Sequence, residues 1–166
     1  MNRNSVIAIV AVAAVIIAGV AVYEYYGTVG TLSISVADAP AGNISAVYIT
    51  FSSISLHSNS SGWINLSVGN KIVNIYGLTV NNSSFLGSFS LHSGKYTTLR
   101  VYVTNVSVVI GGVNETFHLA SKFAFLNHPF YIAPHSATKF TLEFSLNQCL
   151  NERSMIFTPY IGIVES

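Results

Sequence analysis

Two long strand-like runs reverse their hydrophobic phase half-way along, and that reversal limits the folds open to this chain. In SAVYITFSSISLHS, residues 45–58, Val47, Ile49 and Phe51 share one side, whereas Ile54 and Leu56 alternate in the opposite phase. In YTTLRVYVTNVSVVIGG, residues 96–112, Leu99, Val101 and Val103 set one phase and Val106, Val108 and Ile110 the other. Successive side chains of a strand point to opposite faces, so a slip must be absorbed by a bulge or bend. The slips fall near Ser52–Ser53 and Thr104–Asn105. A twisted sandwich or a partly closed barrel needs such devices; a flat sheet does not.

The rest of the chain reads the same way. VGTLSISV (29–36) places Leu32, Ile34 and Val36 on one side. ADAPAG follows as a turn, in which Asp38 can accept backbone hydrogen bonds and Pro40 fixes its own φ. SSGWINLS and KIVNIYGLTV read as two further strands, the second ending at Gly77. NNSSFLGSFSLHSGKY begins as a loop whose Leu86 and Phe89 dock on the core. Gly111–Gly112 suits a tight hairpin, with VNETFHLA as the return strand. Pro129 and Pro134 split SKFAFLNHPFYIAPHSATKF into short pieces. KFTLEFSLN is the clearest half-buried strand, with Phe140, Leu142, Phe144 and Leu146 alternating with polar residues. MIFTPYIGIV reads as the last strand, which Pro159 places at an edge or bulge. No long amphipathic helix follows residue 26. The expectation is an all-β domain of about seven to nine strands.

The N-terminus differs. After MNRNS, residues 6–23 are apolar and uncharged, near the lower limit of the roughly 17–25 residues that span a bilayer as a helix. Arg3 before the run favours a cytoplasmic N-terminus, and Tyr23, Tyr25 and Tyr26 suit the outer interface. The expected organisation is a cytoplasmic tail at 1–5, a transmembrane signal anchor or signal peptide at 6–23, a linker at 24–29 and a β-sandwich at 30–163. The body then lies outside a cell membrane, or is secreted if the leader is cleaved. Seven Asn-x-Ser/Thr triplets, at Asn43, Asn59, Asn65, Asn81, Asn82, Asn105 and Asn114, fit that placement as N-glycosylation candidates, with Asn59 and Asn114 foremost.

Seven basic and six acidic side chains leave a net charge of +1, with no basic cluster to track a phosphate backbone, so nucleic acid is not an expected partner. Cys149 is the only cysteine, which excludes an intrachain disulfide and suits a buried small hydrophobe or an intermolecular pairing. His57, His92, His118, His128 and His135 form no metal-ligand spacing, and no metal or other cofactor is expected. Nothing brings two of Asp38, Glu115, Glu143 and Glu152 together for glycoside hydrolysis, and no Gly-x-Ser-x-Gly elbow is present. No catalytic residue is therefore assigned. Trp63 and nine tyrosines suit packing, or else a stacking surface for sugars. Arg100, in mid-strand, could pair with Glu143 across a sheet.

The stretch SVADAPAGNISAVYITFSSISLHSNSSGW resembles the opening of the DUF4382 family of secreted or lipid-anchored prokaryotic domains. Asp38, Ala39 and Pro40 match its turn, and Val47, Ile49, Thr50, Ile54, Leu56, His57 and Trp63 match the portion that follows. Leu86, Gly87, Gly94, Tyr96, Leu99 and Arg100 are similar to a second segment, KFTLEFSLN to a late strand, and IFTPYI, with Pro159, to the closing one. Ala37 stands where threonine is common, and Glu143 and Ser145 where aspartates are. The resemblance implies an immunoglobulin-like or transthyretin-like β-sandwich without enzyme activity. The neutral, hydroxyl-rich surface is similar to that of archaeal cell-surface proteins.

These features together predict a non-enzymatic cell-surface or envelope domain, anchored in the membrane by the N-terminal helix, with a structural, adhesion or accessory role. Envelope proteins, glycans or further copies of the chain are its expected partners. The alternatives are a filament subunit built by exchange of the N-terminal strand VYEYYGTVGTLSISV, a carbohydrate-binding module, and an enzyme or metal site built from loop histidines.

Overall fold

The computed structural model describes residues 3–39 and 44–165, with side chains except at 3–6, 8, 25, 26, 39 and 165. Helix α1 (Arg3–Gly27) leads into β1 (Val29–Ala39), β2 (Ile44–Ser58), β3 (Gly62–Asn74), β4 (Ser84–His92) and β5 (Gly94–Ile110). Then come β6 (Val113–Leu119), β7 (Phe123–Ile132), β8 (Ala137–Ser145), the short α2 (Leu146–Cys149), β9 (Leu150–Asn151), β10 (Ile156–Phe157) and β11 (Ile161–Glu165). The strands form two sheets. The smaller has the order β11-β8-β1-β4; the larger runs β3-β2-β5-β6-β10-β9, with β7 also paired to β5.

Both phase reversals are bulges. Ser52 is the extra residue of β2, since Phe51 and Ser53 face the consecutive Val103 and Tyr102. Thr104 is the extra residue of β5, between the pairs Phe51↔Val103 and Thr50↔Asn105. Along one side of β5, Gly94–Tyr102 pair with β7 and Val106–Ile110 pair with β6. The slip thus falls where the strand changes neighbour, and each half turns its apolar residues inward.

Those inward faces make one core. Leu32, Ile34 and Val36 of β1 and Phe140, Leu142 and Phe144 of β8 meet Ile49, Phe51, Ile54 and Leu56 of β2 and Leu99, Val101 and Val103 of β5. Phe51 and Phe144 join the sheets edge to face, ring centroids 5.7 Å apart. Each such side chain contributes about 1.5–3 kcal/mol by leaving water.

Several sequence expectations are corrected. The two strands read in 60–80 are one strand, β3, which turns through the left-handed Gly69 (φ 78°) and Asn70 (φ 55°). The segment read as broken by prolines is mostly the continuous β7, in which Pro129 is tolerated because β7 pairs with β5 on one side only, beside a register shift at Tyr96/Thr98. The last strand is instead two: β10 joins the large sheet and β11 the small one, with Pro159 in the crossing where no ladder donor is required. The domain is a mixed-sheet sandwich rather than an antiparallel immunoglobulin-like one, because β1 pairs parallel to β8 and β6 parallel to β10.

The expected transmembrane helix is also corrected. Among the described residues no helix is long and apolar enough to cross a membrane. The side chains of α1 are described continuously over 9–24. These side chains are exposed, including Val15 and Ile17 at 72% and 69%. Single-pass topology, membrane attachment through this helix and the localisation built on it fall with that finding. Residues 1–2 of the expected tail and the side chains of Arg3, Tyr25 and Tyr26 lie outside the described residues. The strand-exchange reading is corrected too: residues 22–27 are helical, and β1 lies between β8 and β4 of its own sheet, its apolar residues in its own core.

Candidate functional site

The outer face of the large sheet carries an arrangement that folding alone does not require. In β3, β2, β5 and β7 the inward positions are taken by the core, so alternate residues face out. Cross-strand pairing sets the outward residues in rows. One row reads Trp63, His57, Thr98, Asn127; the next Asn65, Ser55, Arg100, Phe125; the third Ser67, Ser53, Tyr102, Phe123.

Arg100 is the centre. Its guanidinium carbon lies 3.9 Å from the Trp63 ring centroid and 5.0 Å from that of Phe123. Arg100 stands on β5 and Trp63 on β3, so the two side chains meet above β2 and cover Ser55, which is 2% exposed although it points outward. Ser55 donates its hydroxyl to Asn65 Oδ1 below this bridge. The His57 ring stands 5.1 Å from Trp63 and its Nδ1 is 3.0 Å from Thr97 Oγ1. Thr98 donates to Asn127 Oδ1 at 3.1 Å, and Tyr102 and Phe123 lie 5.4 Å apart. Trp63 remains 45% and Phe125 60% exposed. Among the described residues Arg100 is held by aromatic rings and has no carboxylate partner.

The expected Arg100–Glu143 pair does not form, because Glu143 belongs to the small sheet and stands beside Ala37 and Gly162. His57, Trp63 and Arg100, spread over 44 residues of sequence, are brought together. Tyr102, Phe123, Phe125 and Asn127 complete the face without having been singled out in the sequence. For Phe123, Phe125 and Asn127 the signal was a strand, FAFLN, that is apolar on both sides.

The other motif residues serve the frame. Gly94 (φ 151°) opens β5, and buried Tyr96 donates its hydroxyl to the His92 carbonyl at 2.9 Å while stacking on Phe130. Pro40 and Asn43 lie outside the described residues. Asn59, Asn65, Asn81, Asn82, Asn105 and Asn114 are all exposed. Asp38 is 3% exposed at the end of β1. Its Oδ2 accepts the Gly77 N–H at 3.3 Å, its backbone N–H bonds the Leu78 carbonyl, and Oδ1 has no hydrogen-bond partner among the described residues. Burial raises its pKa from 3.8 to about 6, against the backbone bonds from Gly77 and Leu146 and with a small addition from Glu143. Cys149 is buried, and the same cause lifts its thiol to about 11. It is therefore an inert packing group, its sulfur 3.4 Å from the Tyr160 backbone nitrogen and oxygen. Among the described residues no three His, Cys, Asp or Glu side chains are grouped to hold a metal ion.

The family model described as a domain of unknown function, DUF4382, matches residues 29–159. The chain belongs to the DUF4382 family. The match begins with β1 and takes in every strand of the candidate face; it bears on neither organism nor compartment. No curated protein matches the chain. Among solved structures, a candidate cell adhesion protein from Bacteroides ovatus ATCC 8483 aligns at 7% identity and a TM-score of 0.27. The alignment covers 84% of this chain and 44% of that one, so the DUF4382 chain spans less than half the length of that protein.

Proposed function

We propose that this DUF4382 chain is a non-catalytic recognition domain that binds its ligand on the outer face of β3-β2-β5-β7. The observation that carries the reading is Arg100, held between Trp63 and Phe123 on an exposed sheet face with no carboxylate among the described residues to neutralise it. An exposed strand position is satisfied by serine or threonine. Aromatic rings there keep apolar surface in water at about 25 cal/mol per Å², a cost that binding can recover. Rings and a guanidinium supply stacking and directed hydrogen bonds, which are means of binding, and the imidazole beside them, His57, meets the Thr97 hydroxyl and packs on Trp63.

Trp63 is the only tryptophan, so its fluorescence reports on the face itself. The test titrates the full-length protein with three pools: oligosaccharides, short peptides and oligonucleotides. One pool is expected to shift or quench the Trp63 emission with saturation, and the shift is expected to vanish in Arg100→Gln. Emission unmoved by all three at millimolar concentration would overturn the reading.

A further inference from the structure

We infer that the ligand of this face is a glycan bearing carboxylates, a hexuronate-type saccharide; the inference rests on the recognition reading above and specifies its ligand. The first support is charge. The strands β2, β3, β5 and β7 contain no aspartate or glutamate, yet β5 carries Lys95 and Arg100. A face without a carboxylate of its own complements an anion. One cation at its centre fits separate carboxylates on sugar rings better than a dense phosphate backbone, which demands a track of basic groups.

The second support is the form of the cation. Trp63 and Phe123 engage the guanidinium from its sides. Among the described residues its N–H donors meet no acceptor, and a planar fork of donors suits a carboxylate. The third is the company it keeps. The exposed Phe125 is the direct cross-strand neighbour of Arg100, while Thr98, paired with Asn127, lies on the next row. Aromatic faces receive the C–H side of a pyranose ring. Amide and hydroxyl groups both donate and accept, as sugar hydroxyls do. A peptide side chain would ask instead for a pocket, and the rows present a broad sheet face.

The test follows Trp63 emission of the full-length protein with four probes: tetragalacturonate, its full methyl ester, a glutamate-rich peptide and oligothymidylate. Tetragalacturonate is expected to bind with an affinity that falls with salt. Methyl esterification and Arg100→Gln are each expected to weaken it about tenfold or more, as loss of a charge-assisted hydrogen bond does. Phe125→Ser leaves the Arg100 stack in place and is expected to weaken acid and ester alike. The melting temperature of each variant separates lost binding from lost fold. Ester binding as tightly as acid would overturn the carboxylate assignment. Peptide or oligothymidylate shifting the emission where saccharide does not would overturn the glycan assignment and leave the recognition face standing. No response to any probe would overturn both.

Discussion

The two sheets share one core but turn different surfaces to solvent. On the small sheet, β8 presents Lys139 and Glu143, and β1 presents Ser33 and Ser35 beside β4. Ser33 and Ser88 hydroxyls meet at 3.1 Å across the strands. The exposed Phe85 there is covered in part by Lys71, whose ammonium lies 5.7 Å from the ring centroid and bonds the Phe85 carbonyl. On the large sheet the outer face of β3, β2, β5 and β7 holds Trp63, Arg100, Phe123 and Phe125, and those four strands contain no carboxylate. The inner faces impose the same demand on both sheets. A hydroxyl-rich exterior meets that demand on the small sheet, so the aromatic exterior of the large one answers to something other than folding.

The shared core is the place to break this comparison most severely. Phe51→Ala removes the ring that meets Phe144 and is expected to cost about 3–5 kcal/mol. Denaturant unfolding should show one transition at a lower midpoint, by Trp63 emission on the large sheet and by far-ultraviolet dichroism alike. Separate transitions would show sheets that fold independently. Gly30→Ala strikes β1 of the small sheet where it meets the end of β7. A Cβ there would clash with the Ala133 carbonyl oxygen and lie 2.7 Å from Ile132 Cγ2, so backbone must move. The expected loss is about 1–3 kcal/mol by thermal melting, with the Trp63 emission of the folded state unchanged.

Acid sharpens the contrast at the end of β1. The Asp38 pKa is raised on folding, from 3.8 to about 6, so between these values the unfolded chain has released the proton that the folded domain still holds. Stability is then full below pH 3.8 and falls as pH rises towards about 6, after which this contribution is flat. Melting measured across that window should show the decline, and Asp38→Asn should remove it. A domain that instead loses stability on acidification through the same window would contradict this account of Asp38.

The smallest effects compare the two exteriors directly. Trp63→Ser removes a half-exposed ring and its cation contact, so its cost is expected near 1 kcal/mol or less. Lys139→Ala, on the small sheet, should fall within about 0.5 kcal/mol of the parent. A large loss for Trp63→Ser would make the aromatic face structural and remove the contrast.

Much of the frame was legible locally. The reversals in β2 and β5 show in the sequence because a bulge changes the parity of alternation within a few residues. KFTLEFSLN displays its two faces outright, and all but its last two residues form β8. Cys149 stood in apolar company and is buried. The Asp38 turn was half right: the residue does accept a backbone hydrogen bond, but from Gly77, 39 positions away, at the end of a strand. Pro129 misled because a proline's effect depends on whether the neighbouring edge is paired, and pairing is not local. Pro159 misled because a crossing between sheets looks, over ten residues, like one irregular strand.

The site divides along the same line. His57, Trp63 and Arg100 could be picked out as residues, yet the only pairing offered for Arg100, Glu143, lies in the other sheet. By itself the sequence determined the strand periods, the two bulges, the scarcity of charge, the lone thiol and the family, all properties of residue type and near-neighbour spacing. Only the tertiary structure decided that β1 lies parallel to β8, that β5 hands one edge from β7 to β6, and that Trp63 and Phe123 close on one guanidinium. Those outcomes depend on which distant strands pair and in which register. A one-residue change of register turns every outward side chain inward, and no local stretch of this chain contains that information.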